Sequence, residues 1–88
     1  MNTAYALLAR YETPTVQLRA ISEEFFGLMP KTAEQKAKVD ALPITTFKLR
    51  DSVQAPTMVH LTDLAAFIDK QRLEAKKGWE IMQAAKGA

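Results

Sequence analysis

Residues 46–68, TFKLRDSVQAPTMVHLTDLAAFI, decide the architecture. Thr45, Phe47 and Leu49 alternate with Thr46, Lys48 and Arg50, and Met58 and His60 alternate with Val59 and Leu61. Both have the period-two pattern of half-buried strands. Between them, DSVQAP is too polar and too Pro-marked for a core, and fits the tip of a β-hairpin with a long loop. Thr62 then reads as a helix N-cap. Leu61 precedes it in the staple position, and Asp63 brings negative charge to the positive helix end.

Upstream, the period changes to three and four. Leu18, Ile21 and Phe25, with Leu28 just beyond, form one stripe, so a helix is expected over Leu18–Phe26. Gly27 ends it, because glycine takes the left-handed C′ conformation without a Cβ clash. A second helix is expected from Thr32, capped by its hydroxyl, with Val39 and Leu42 toward the core and Pro43 as its stop. The two helices are so close in sequence that they must turn sharply. At the start, Tyr5, Leu7, Ala9 and Tyr11 alternate, which favours a short edge strand over a helical turn, and Pro14 marks the turn after it.

Downstream of Thr62, Leu64, Ile68, Ala75, Trp79 and Met82 continue a helical stripe, interrupted at Gln71 and Gly78. A helix of about 24 residues would reach about 36 Å, more than so small a body can cover. Its second half, with Leu73, Trp79, Ile81 and Met82, must fold back or meet another chain, and these four are candidate dimerisation residues.

The sum is an α+β fold: short N-terminal strand, two short helices, β-hairpin wing and long C-terminal helix. That order describes a small winged helix-turn-helix over residues 1–72, with 73–88 as a C-terminal extension. Eighty-eight residues make one modest core, and the absence of Cys removes disulfides and thiolate metal sites and favours the cytoplasm, here nucleoid-associated. No segment is apolar enough to span a membrane, and the opening MNTAYALLARY lacks the basic lead of a secretory signal. Twelve Lys and Arg against ten Asp and Glu leave a net charge of +2, which serves nucleic acid only if the cations gather on one face.

In order and spacing, MNTAYALLARY, VQLRAISEEFF, LPITTFKLRD and VHLTDLAAFIDKQR resemble the pyocin activator protein PrtN family from Met1 to about Arg72, most specifically in HLTDLAAFIDKQR and the opening segment. More distantly the chain is similar to the AlpA and excisionase group, whose hairpin runs into a Ser/Thr, Asp/Glu, Leu motif, here Thr62, Asp63 and Leu64. In that pattern the aromatic pair ending the first helix is Phe25 and Phe26. The second helix departs from it, with small residues in KTAEQKAKVDAL where an aromatic often anchors the turn. The resemblance implies a bacterial or prophage transcription regulator, an activator of phage- or bacteriocin-related genes. Double-stranded DNA, RNA polymerase and a second copy of the chain are the expected partners.

Within this architecture Lys31, Gln35, Lys36 and Lys38 form the candidate recognition helix, since Gln can pair with adenine and Lys with guanine acceptors or phosphates. Lys48 and Arg50 share one side of the wing strand and suit phosphate contacts, and Arg19 is a further phosphate candidate. His60 has no neighbouring ligand and is expected partly buried near a helix cap. Asp63 and Asp69 lie on different sides of their helix, and Ser22 and Ser52 have no evident base. No catalytic residue, metal or cofactor is therefore assigned. An excisionase-like DNA-bending protein, or an antagonist that binds another regulator, would use the same scaffold.

Overall fold

The computed structural model describes residues 2–87. Its elements run α1 (Thr3–Tyr11), β1 (Thr15–Gln17), α2 (Leu18–Phe26), α3 (Pro30–Lys38), β2 (Met58–His60) and α4 (Leu61–Gly87). The result is a small α+β fold with a winged helix-like arrangement. β1 and β2 pair antiparallel, with Val16 opposite Val59, and the segment between them contains α2, α3 and the wing.

The core sits where α2, β2 and the start of α4 meet. Leu18, Ile21, Val59 and Leu64 are fully buried, with Leu7, Ala33, Leu61 and Ala65 around them. α1 packs along α4, and α2 packs on α3. The rings of Phe26 and Phe67 meet edge to face at 5.2 Å and fasten the end of α2 to α4.

Residues 3–11 are helical, not the expected edge strand. Asn2 Oδ1 accepts from the Tyr5 N–H at 2.7 Å, which satisfies one orphan donor of the first turn. The alternation of Tyr5, Leu7, Ala9 and Tyr11 misleads because the buried face is Ala4, Leu7 and Tyr11, at helical spacing. Tyr5 is 64% exposed. The short strand exists, but it follows Pro14. Arg10, near the end of α1, makes a bidentate ion pair with Glu24 of α2 and lies over the Tyr11 and Phe25 rings.

α2 has the expected bounds, and Gly27 closes it at φ 66°. α3 starts earlier than Thr32. Pro30 takes the first turn, where its missing N–H is no loss and its fixed φ suits a helix. The helix also ends earlier than Pro43, because Asp40 takes a left-handed φ of 53°. Val39, expected in the core, is consequently 72% exposed, while Leu42 packs against the core after the turn.

The wing is a minimal hairpin. A single antiparallel bridge joins Phe47 and Met58, with N–H···O distances of 3.0 and 2.7 Å, where two longer strands were expected. Pro43 and the bends that follow it keep 44–46 off the ladder, and β2 finds its longer partner in β1.

Thr62 is not the cap of α4, which begins at Leu61. The Thr62 N–H donates to His60 Nδ1 at 3.1 Å, and the Leu61 N–H donates to the Pro14 carbonyl at 2.9 Å. His60 is thus the capping acceptor, a role that needs an unprotonated Nδ1. α4 spans 27 residues as one helix, about 40 Å long. From Asp69 onward each of its described residues is exposed, and the molecule extends 58 Å along its longest axis. Among the described residues no helix is long and apolar enough to cross a membrane.

Two outcomes test this packing. Leu64→Ala, at a fully buried site, should cost about 2–5 kcal/mol in denaturant melts, whereas a loss below about 1 kcal/mol would displace the core. The Arg10 hydrogen bond holds the Glu24 carboxyl below its ordinary value of 4.5. A depressed folded value gives stability that is present above the unfolded value and lost as pH falls through the folded one. Glu24→Gln should therefore cost a little stability at neutral pH, and melts in strong acid should show no difference from wild type. Both groups are about half exposed, so added salt should shrink the effect.

Candidate nucleic-acid interface

α3 presents a polar face because its inner face is built from small residues. Ala33 is fully buried, and Ala37 and Glu34 are partly buried beside it. With about 100° per residue, this inner line leaves Lys31, Gln35 and Lys38 together on the outer side, at i, i+4 and i+7. All three are exposed. Lys36 is also exposed but points away from them. It borders the apolar groove of Phe25, Phe26, Leu42 and Phe67, on the side of α4.

The wing comes to the other end of this face. Lys38 and Asp40, at the C-terminal end of α3, share a shallow cleft with Thr46, Phe47, Lys48 and Thr57. Lys38 and Lys48, ten residues apart in sequence, therefore line one depression. Lys48 Nζ also reaches back to the Ser52 and Val53 carbonyls at 3.5 and 3.4 Å, long contacts that gather the wing tip. Arg50 and Val53 are exposed on that tip, with Val53 95% open to solvent.

Arg19 lies at the start of α2, which the backbone ties to the wing root. The N–H of Leu18 donates to the Thr57 carbonyl at 2.8 Å, which keeps the start of α2 beside the root of the wing. Arg19 follows Leu18 and is exposed. The cations Lys31, Lys38, Lys48, Arg50 and Arg19 come from α2, α3 and the wing; Asp40 lines the cleft with Lys38 and Lys48, and Asp51 stands beside Lys48 and Arg50 at the wing tip. Arg10–Glu24 is the one ion pair among the described residues, so none of these five is neutralised by such a contact.

Leu73, Trp79, Ile81 and Met82 lie outside this region, exposed on the projecting half of α4 at 52, 62, 69 and 55%. Ala75, Trp79 and Met82 continue the line of Leu64 and Ile68 along the helix.

One contact of this region escapes the sequence reading. Glu34 Oε2 accepts from the Thr57 hydroxyl at 2.7 Å, across 23 residues of sequence. Its place in the 30, 33, 34, 37 stripe was the available signal. Among the described residues no group of three His, Asp or Glu side chains could hold a metal ion.

The molecule is thus a small winged helix-like α+β protein with a polar, cation-bordered helix face. The sequence pattern of the family described as pyocin activator protein PrtN matches residues 3–75, and the chain belongs to that family. This places it among activators of phage or bacteriocin genes, a regulatory class and not a class of enzymes. The match covers α1 through the first half of α4, including Leu73 but not Trp79, Ile81 or Met82. No match was found among curated proteins, and none among solved structures.

Proposed function

We propose that the chain activates its genes by binding double-stranded DNA in a sequence-specific manner. The observation that carries this reading is the placement of Lys31, Gln35 and Lys38 on one exposed face of α3, with Lys48 lining the same cleft as Lys38. A nine-residue helix is about 14 Å long, suited to a major groove about 12 Å wide. Gln35 sits mid-face, where its amide can pair with adenine N6 and N7. Lys31 and Lys38 flank it and reach guanine acceptors or phosphates. Lys48 and Arg50 hold the adjacent backbone or minor groove, and Arg19 takes a phosphate from the start of α2.

Binding of this kind releases counterions. Three to six neutralised phosphates per protomer predict a log affinity against log salt slope of about −3 to −5. Gln35→Ala should lose about 1–3 kcal/mol of discrimination at one base position, while Lys48→Ala and Arg50→Ala weaken all duplexes evenly. Genome-wide binding followed by footprinting and salt titration measures both. A slope near zero, or unchanged preference in Gln35→Ala, overturns this assignment. A long footprint with strong bending would mark an excisionase-like role, and no salt-sensitive duplex binding at micromolar protein would mark an antagonist of another regulator.

The proposed functional unit is a homodimer held through the second half of α4. One domain of this size reads few bases, and a two-fold pair supplies a second half-site. The apolar line through Ala75, Trp79 and Met82 supports this, since a helix gains most of its stability by packing such a face. Sedimentation should show a dimer at tens of micromolar, with Trp79→Glu shifted toward monomer and weaker on its operator. Monomers in both cases, with equal operator affinity, would overturn the pairing.

A further inference from the structure

We infer that Glu34 and Thr57 form a positioning pair that fixes the rotation of α3 about its own axis, and with it the aim of Gln35. The inference rests on the DNA-binding reading above and deepens it. Glu34 acts through the placement of its neighbours.

Packing alone holds α3 loosely in rotation. Its inner face offers Ala33 and Ala37, whose methyl groups make few interlocking contacts, so a small roll costs little shape complementarity. No side chain caps its N-terminus, where Met29 occupies the cap position. The Glu34–Thr57 hydrogen bond is directional and supplies what the methyl groups lack.

The far end of that bond is firmly held. Thr57 is 6% exposed, and its carbonyl accepts from the Leu18 N–H at 2.8 Å. The next residue, Met58, is hydrogen-bonded to Phe47 of the wing and stands opposite Gln17 of β1. Glu34 therefore refers the rotation of α3 to the same backbone that fixes the wing. The second Glu34 oxygen is buried without a hydrogen-bond partner among the described residues, so Thr57 is the carboxylate's one protein donor there.

The leverage follows from helix geometry. Glu34 adjoins Gln35 and stands three residues after Lys31 and four before Lys38. A side chain at the helix surface, about 5–6 Å from the axis, swings about 2 Å for a roll of 20°. A bidentate amide–adenine contact does not survive such a shift, whereas a Lys reaching a phosphate follows it with its flexible stem. Breaking the tether thus damages base discrimination more than general affinity.

The experiment breaks the bond from both ends. Thr57→Val removes the hydroxyl at nearly constant shape, and Glu34→Met removes the carboxylate with a helix-compatible side chain of similar length. Thr57→Ser restores the donor. Two readouts are taken on each full-length variant: the ratio of operator to random-duplex affinity, and amide hydrogen exchange of α3 in the free protein. We expect the ratio to fall about tenfold or more in Thr57→Val and in Glu34→Met, with random-duplex affinity within about twofold of wild type. The double variant should lose no more than either single one, and Thr57→Ser should recover the ratio. Exchange across α3 should quicken about tenfold while the first turns of α4 stay protected. If Thr57→Val fails to fold, Glu34→Met with Thr57→Ser carries the comparison. An unchanged ratio together with unchanged α3 exchange overturns the positioning pair, as does an equal loss of operator and random-duplex binding. If the wild type binds no duplex, the DNA reading fails by itself, and the exchange readout still decides the tether.

Discussion

Backbone pairing along residues 57–61 organises the molecule. The Thr57 carbonyl accepts from Leu18 at the start of α2, Met58 bridges to Phe47 of the wing, and Val59 stands opposite Val16 of β1. His60 caps α4 with its imidazole, and the Leu61 N–H reaches the Pro14 carbonyl. Val59 is fully buried at the centre of this line. A two-stranded ladder this short is not stable alone in water. It persists because helices cover it, and the helices in turn take their positions from it.

The sequence made this frame legible in part, and the failures have physical causes. Leu18–Phe26 was readable because a three-four stripe, a polar back and a C-terminal glycine all agree. Residues 3–11 are not, because Tyr and Leu satisfy both a two-residue and a helical period, and the tie is broken only by the Asn2 cap on the first turn. The early end of α3 depends on Asp40 entering the left-handed region, which sequence rarely signals for a residue other than Gly or Asn. Thr62 has the side chain of an N-cap, yet α4 begins one residue earlier, and His60, placed by β2, accepts the N–H of Thr62 itself. The hairpin was foreseen as two strands because alternation shows which side chains share a face, not which backbone they pair with.

The candidate interface shows the same division. Lys31, Gln35 and Lys38 share a face by helical spacing alone. That Lys36 stands apart follows from the same geometry once Ala33 and Ala37 are known to point inward. The meeting of Lys38 with Lys48 is a tertiary fact, set by where the chain returns after Pro43. The bond of Glu34 to Thr57 is tertiary in the same way, because helical spacing puts Glu34 beside Ala33 and Ala37 but does not name a partner 23 residues away.

The distribution of burial finally separates what holds the fold from what carries its polar face. The fully buried large side chains belong to α2, β2 and the first turn of α4, while α3 contributes only Ala33 and the wing closes through one bridge. Elements with few buried apolar contacts occupy the low-stability end of a protein's opening spectrum. α3 and the wing are therefore the segments in which a bound duplex would suppress the most motion, and each Lys that meets phosphate would tighten both. From Asp69 onward α4 is exposed and adds no side chain to the buried core, although Gln71 and Glu74 line a cleft with Pro43, Ile44 and Thr45. Its exposed Trp79 and Met82 add nothing to the buried core, so in the proposed dimer a second helix would meet them without disturbing that core or the face of α3.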